Sequence, residues 1–136
     1  MALNTRLLTP TDYSTILVGW WADWGWVAPP QDFLPENGLS GIIVLDDDTP
    51  VCAGFFYTTN SSVAWVDWII SNKEYKKKPQ RKEALELLIQ ILTESCKILG
   101  FTYVYALIKH PSLINVYESI GYTEGYTYNK EMIIKL

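Results

Sequence analysis

The residues from Gly41 to Ser71, GIIVLDDDTPVCAGFFYTTNSSVAWVDWIIS, decide the fold. GIIVL, VCAGFFYTT and VAWVDWIIS are β-branched and aromatic runs, and DDDTP and NSS between them are turn chemistries. The stretch therefore predicts three consecutive antiparallel strands, the body of a sheet.

Working outward toward the N-terminus, LNTRLL (3–8) reads as a short strand. TPTD then supplies Thr9 as a cap, Pro10 at the first helical position and Asp12 three residues after the cap, which predicts a helix from Pro10 to Trp21. ADWGWVAPPQDFLPENG (22–38) holds three prolines and no sustained period, so it predicts a long irregular segment with one helical turn at most. Toward the C-terminus, Ala84, Leu87, Leu88, Ile91, Leu92, Ser95, Ile98 and Leu99 keep the spacing of one buried helical face, with Gly100 as a cap, over Arg81–Leu99. TYVYALI (102–108) has almost no polar alternation and predicts a strand buried on both faces. A short helix follows from Pro111 to Gly121, and YTEGYTY and EMIIKL predict a closing strand pair. The order β α loop β β β α β α β β specifies an α+β domain spanning residues 1–136, a mixed, mostly antiparallel sheet with helices on both faces.

Composition sets the class. At 136 residues with 49% hydrophobic and 19% charged residues, the chain has the length of one domain and the means to bury a core. Its apolar runs fall far short of the ~20 residues of a membrane span, and no charged-then-apolar leader opens it, so a soluble, cytoplasmic protein is expected. Cys52 and Cys96 have neither metal-ligand nor disulfide spacing and read as buried thiols. The DDD run reads as a solvated hairpin turn and not as a metal site.

Charge is divided unevenly. Residues 1–72 hold one base, Arg6, against eight acids, whereas residues 73–136 hold ten bases against seven acids, and six of those bases fall between Lys73 and Lys82. A short basic segment on an acidic protein suits a small polyanion better than a nucleic-acid duplex, which wants a wide positive face; the plain alternative is a solvated Lys-rich loop.

Two motifs sharpen the element order. The superfamily of acyl-CoA-dependent N-acyltransferases known as GNAT carries a segment of the form Asn-x-x-Ala-ϕ-x-ϕ-Tyr-Glu-Lys-x-Gly-Phe, which HPSLINVYESIGY resembles at Ile114, Val116, Tyr117, Glu118, Gly121 and Tyr122, with His110 in place of Asn. SNKEYKKKPQR resembles the family's strand-to-helix passage at Glu74, Tyr75, Lys76 and Lys78, but Pro79 and Arg81 stand where the family has glycines. The resemblance covers the whole chain and implies the GNAT fold, with acetyl-CoA as cosubstrate and a primary amine, on a small molecule or a protein, as acceptor. In the family the glycine loop lets backbone N–H groups close around the cofactor pyrophosphate. Pro79 has no N–H and Arg81 blocks close approach, so binding falls to the side chains of Lys76, Lys77, Lys78, Arg81 and Lys82. WWADWGW and TTNSS also loosely resemble small phage-encoded members, which would place the protein in an infected bacterial cytoplasm.

The resemblance assigns Tyr117 as the acid for the leaving thiolate and Ile70 and Ser71 as the backbone holding the thioester and pantetheine arm. Tyr117 could equally be a satisfied core tyrosine. Asp67, between Trp65 and Trp68, is the candidate base, because desolvation there should raise its pKa; Trp65 and Asp67 share a strand face and Trp68 takes the other. The plain alternative is a carboxylate on a solvated sheet face. His110 is a second candidate base or a helix cap. Trp20, Trp21, Trp24 and Trp26 should wall an acceptor groove near Asp23, Asp32 and Glu36, or plug the sheet end, which is expected of two of the four. Two functions follow: direct acetyl transfer to a primary amine, or a catalytically degenerate GNAT-like interaction module that uses the Trp-rich groove. No nucleic acid or membrane partner is expected, and the chain would be a monomer or homodimer.

Overall fold

The structure, a computed structural model, describes residues 2–136. Its sheet has five strands in the order β1-β2-β3-β4-β5: β1 (Leu3–Leu7), β2 (Gly41–Asp46), β3 (Thr49–Tyr57), β4 (Val63–Ser71) and β5 (Tyr103–Tyr105). Neighbours pair antiparallel except β4 and β5, which are parallel. The helices are α1 (Val18–Asp23), entered through a π turn at Tyr13–Leu17, then α2 (Gln80–Ile98) and α3 (Pro111–Ile120). One face of the sheet packs Val44, Val51, Cys52 and Val66 against Leu85, Leu88, Ile89 and Leu92 of α2 and Val116 of α3. The other packs Ile43, Ala53, Phe55 and Ile70 against Leu17, Trp20, Trp21 and Leu34. The α+β architecture, mostly antiparallel with helices on both faces, is the one the sequence specifies. No helix among the described residues is long and apolar enough to cross a membrane.

Four local expectations are corrected. The first helix begins near Asp12 and runs to Asp23; Asp12 accepts from the Thr9 N–H at 2.7 Å, as a capping box requires, but it also pairs with Arg6 at 2.7 Å, and the Thr9 hydroxyl turns to Thr11 instead. The buried stripe of α2 runs through Ala84, Leu85, Leu88, Ile89, Leu92 and Cys96, leaving Ile98 and Leu99 in solvent, because α3 covers part of the helix and draws its contact line toward Leu85 and Ile89. β5 is three residues long and exposes Tyr103 and Tyr105, since these two stand on the face opposite Val104 and neither is packed into the core on that side. The closing strand pair does not form. Residues 122–136 make no ladder, and Tyr126, Tyr128, Met132, Ile133 and Ile134 are exposed, because β propensity is realised only against a partner and β5 offers a very short edge.

One irregularity places the site. The β3–β4 register slips between Ala53 and Phe55, and Trp68 adopts φ +56, which marks a β-bulge. Before it, Ala64 and Val66 face α2 and α3; after it, Trp68 and Ile70 face the α1 side and Ile69 takes the α2 side. Gly54 makes room: a Cβ there would lie 2.4 Å from Ile69 Cδ1. Past Trp65 and Tyr105, the last paired residues, β4 and β5 have no ladder between them.

Close packing also fixes Gly41, whose Cβ would meet the Gly54 carbonyl oxygen at 2.6 Å, while a Cβ on Gly19 meets nothing within 4 Å. Gly41→Ala should therefore cost about 1–3 kcal/mol in denaturant unfolding, as overpacking does, and Gly19→Ala should be neutral or stabilising by up to ~1 kcal/mol.

Candidate functional site

The parting of β4 and β5 opens a cavity of about 1170 Å³. Backbone polar groups along the freed edge of β4 need partners, and side chains supply them. The Tyr117 hydroxyl donates to the Val66 carbonyl at 2.9 Å, the Trp68 N–H donates to Asp67 Oδ1 at 2.8 Å, and Trp24 Nε1 donates to the Ser71 carbonyl at 2.7 Å. Asn72 donates its N–H to Val51, so antiparallel alternation turns the backbone of Ile70 toward β3 and that of Ser71 toward the cavity. Of the two residues expected to hold an acyl-pantetheine arm, Ser71 alone presents its backbone to the open side.

Tyr117 is held from two directions. Its helix ends in a Schellman motif in which Gly121, at φ +119, donates to Glu118 and Tyr122 donates to the Tyr117 carbonyl. The Tyr122 ring packs edge-on against Tyr117 at 4.9 Å, and its hydroxyl meets Thr93 Oγ1 at 2.7 Å. Tyr117 is 1% exposed yet lines the cavity. Burial, and then the charge of Asp67, push its pKa well above the usual phenol range, so it keeps its proton.

Asp67 sits opposite Phe55 on the α1 face of β4, sharing that face with Trp65, whose ring meets Tyr105 edge-on at 4.9 Å. Burial raises its pKa to about 6; the N–H groups of Trp68 and Leu107 oppose the rise, and the charge of Glu131 adds to it. Tyr117 rises from the opposite face. Both line the cavity, where no β5 backbone lies between them, and the Asp67 charge is felt at the Tyr117 hydroxyl. Trp68, expected on the other face from Asp67, packs on the α1 side against Trp21 and Phe33, because the bulge reverses the alternation.

The basic segment divides. Lys76 and Arg81 line the cavity, and Arg81 Nε donates to Ser71 Oγ at 3.3 Å. Lys73 reaches the Asp23 carbonyl at 3.0 Å, Lys78 lies over Tyr75, Lys82 pairs with Glu86 at 3.9 Å and Lys77 is exposed. The loop N–H groups of Lys76, Lys78 and Arg81 bond to the carbonyls of Lys73, Tyr75 and Lys78, so those three amides are engaged within the loop. Pro79 then opens α2 from the N-cap position.

The tryptophans also divide. Trp20 and Trp21 are buried in the α1-side core; Trp21 touches the cavity and Trp20 does not. Trp24 and Trp26 stack at 5.7 Å, and Trp26 stacks on His110 at 4.7 Å. His110 makes no side-chain cap bond, so its ring serves the stack and its carbonyl receives the N–H groups of Leu113 and Ile114. Asp23, Asp32 and Glu36 do not line the cavity; its acids are Asp67 and Glu131. Tyr57, whose hydroxyl donates to the Phe33 carbonyl at 2.9 Å, is a wall residue that sequence reasoning missed. Its only signal is its pairing opposite Trp65, and Glu131 gave none, being read as part of a strand. Among the described residues no group of three His, Cys, Asp or Glu side chains could hold a metal ion.

No family model matches the chain, and no curated protein matches it. Solved structures do. A probable acetyltransferase from meticillin-resistant Staphylococcus aureus is 18% identical with a TM-score of 0.69, over 99% of this chain and 100% of that one. A ribosomal-protein-alanine N-acetyltransferase from Brucella melitensis biovar Abortus 2308 is 17% identical, TM-score 0.66, over 98% and 99%. An aminoglycoside acetyltransferase from an uncultured soil metagenomic sample is 14% identical, TM-score 0.66, over 98% and 97%. The chain has the fold of GNAT-type acetyltransferases.

The raised Asp67 pKa carries a stability signature. Between its ordinary value of 3.8 and about 6 the folded chain holds a proton that the unfolded chain releases, so stability falls as pH rises through that window. Asp67→Asn should remove this slope and gain on the order of 1–2 kcal/mol at pH 7, after allowance for partial exposure, in urea unfolding at pH 4 and pH 7.

Proposed function

We propose that this protein is an N-acetyltransferase that moves acetyl from acetyl-CoA directly to a primary amine. The observation that carries the reading is the presence of a buried, protonated phenol, Tyr117, and a carboxylate poised near pH 6, Asp67, in one cavity beside a freed strand edge. An acid and a base with pKa values driven apart are what acyl transfer to an amine needs.

The cosubstrate supplies an activated acetyl thioester. Lys76 and Arg81 would hold its phosphates, because they line the cavity and no carboxylate pairs with either among the described residues; the Ser71 backbone would hold the arm. Asp67 takes the proton of the incoming ammonium directly or through one water, and the amine nitrogen forms its bond to the acetyl carbon. As the carbon–sulfur bond breaks, Tyr117 gives its proton to the leaving thiolate, the nitrogen gives up its second proton to solvent to leave the neutral amide, and Tyr117 is reprotonated from solvent. The aromatic walls Tyr57, Trp65 and Trp68 suit an acceptor with an apolar body. This reading places the protein in the cytoplasm, that of an infected bacterium if it is phage-encoded.

A second reading, a non-enzymatic module that binds a protein through its tryptophan-rich groove, is favoured by one observation: three loop amides that could close on a pyrophosphate are bonded within the loop. Calorimetric titration with acetyl-CoA separates the two. The first predicts binding that weakens with salt, since side-chain charge carries it; absence of heat and of thermal stabilisation at millimolar acetyl-CoA selects the second.

Two variants test the roles. Tyr117→Phe should lower kcat by about 10²-fold with little change in acetyl-CoA affinity. Asp67→Asn should lower kcat similarly and abolish the rise in rate through pH 6, measured as thiol release; an unaltered profile would remove Asp67 as the base.

A further inference from the structure

Trp24, Trp26 and His110 form a row of three stacked rings that lines the cavity. At one end Trp24 donates to the Ser71 carbonyl at the close of β4. At the other His110 stands at the start of α3, the continuation of the β5 side. The row therefore joins the two lips of the gap that the parting strands open.

The backbone beneath it is fixed. α1 ends in a Schellman motif: Gly25, at φ +76, donates to the Ala22 carbonyl, and Trp26 donates to Trp21 at 2.9 Å. Trp24 and Trp26 thus leave the chain on either side of one pinned glycine, and the Trp24 indole can move only by rotating its side chain.

Trp24 also collects charge. Lys73 Nζ, Lys76 Nζ and the Arg81 guanidinium lie 5.7, 5.9 and 5.8 Å from the centroid of its ring. Among the described residues the ion pairs are Arg6 with Asp12 and Lys82 with Glu86, so none of the three has a carboxylate partner. Lys73 also donates to the Asp23 carbonyl and Arg81 to Ser71 Oγ, but those partners are neutral and the π face attracts only weakly, so no anion balances the three like charges. They are arranged for an anion, and the indole stands among them.

We propose that Trp24 is a built-in occupant of the groove that a phosphate-bearing ligand displaces: the ligand's phosphates take the three cations, an amide N–H of the ligand takes the Ser71 carbonyl, and the indole rotates out. This rests on the reading of the cavity as the acetyl-CoA site. The hydrogen bond and the stack on Trp26 hold the closed form, so only the minor, open fraction of the free protein binds, and the apparent affinity is reduced by that fraction. Trp24 sets the affinity threshold without touching the reacting atoms.

The test titrates acetyl-CoA into the wild-type protein, Trp24→Ala and Trp24→Phe at fixed salt, with melting temperature as the folding control. Trp24→Ala should bind about 10-fold or more tightly than wild type, as removal of a closed state populated above ~90% requires. Trp24→Phe, which keeps a ring but cannot donate to Ser71, should fall between, and it carries the test if the alanine variant does not fold. Wild-type tryptophan emission should change on binding, and the Trp24→Phe change should be smaller. Binding by Trp24→Ala alone, with silent wild type, would also support the displacement. Equal or weaker binding by folded variants, with wild type binding, overturns it and makes Trp24 an inert or ligand-facing wall. No binding by any of the three proteins overturns the acetyl-CoA reading itself, and the displacement falls with it.

Discussion

A β-strand whose neighbour leaves it must satisfy its backbone polar groups in some other way, and the rest of this structure is arranged around that requirement. β4 loses β5 after Trp65, and from Val66 to Ser71 its open side is met by Tyr117, Asp67 and Trp24, three side chains from three parts of the chain. Each is costly to remove without replacement, since a buried polar group left unpaired costs roughly 1–3 kcal/mol. The same requirement that stabilises the fold therefore delivers a phenol, a carboxylate and an indole to one cavity.

The bulge at Trp68 gives the cavity its chemistry. By reversing the side-chain alternation it keeps Asp67 and Trp68 on the α1 side together, so the carboxylate is walled by aromatic rings and loses solvent. Gly54, on the partner strand, leaves the space that the Ile69 side chain occupies. The cavity is polar along one axis: Lys76 and Arg81 lie at the β4–α2 end, and Asp67 and Glu131 are its acids.

The basic loop shows how one constraint can be met by a different means. Where a glycine loop would offer backbone amides, this loop folds on itself in successive tight turns that bond its own N–H groups, and Pro79 starts the helix. Cationic side chains remain at the mouth of this loop with no carboxylate partner among the described residues. Three of them, Lys73, Lys76 and Arg81, gather around the Trp24 ring.

The sequence by itself determined the three-strand antiparallel meander, the short strand before it, the long and short helices and their order, because these follow from local periodicity, turn residues and caps that need no distant partner; Tyr117, Ile70 and Ser71 became candidates only through the resemblance of their motifs, and Asp67 through its place between two tryptophans. It misplaced the buried stripe of α2 and supplied two closing strands that do not form, because burial and strand pairing depend on what lies opposite. Nothing local marks Trp68 as the residue of reversed alternation, or separates Trp20 and Trp21 in the core from Trp24 and Trp26 at the mouth. Those were decided only in three dimensions, where the gap between β4 and β5 selects, from four equivalent indoles, the one able to reach the Ser71 carbonyl.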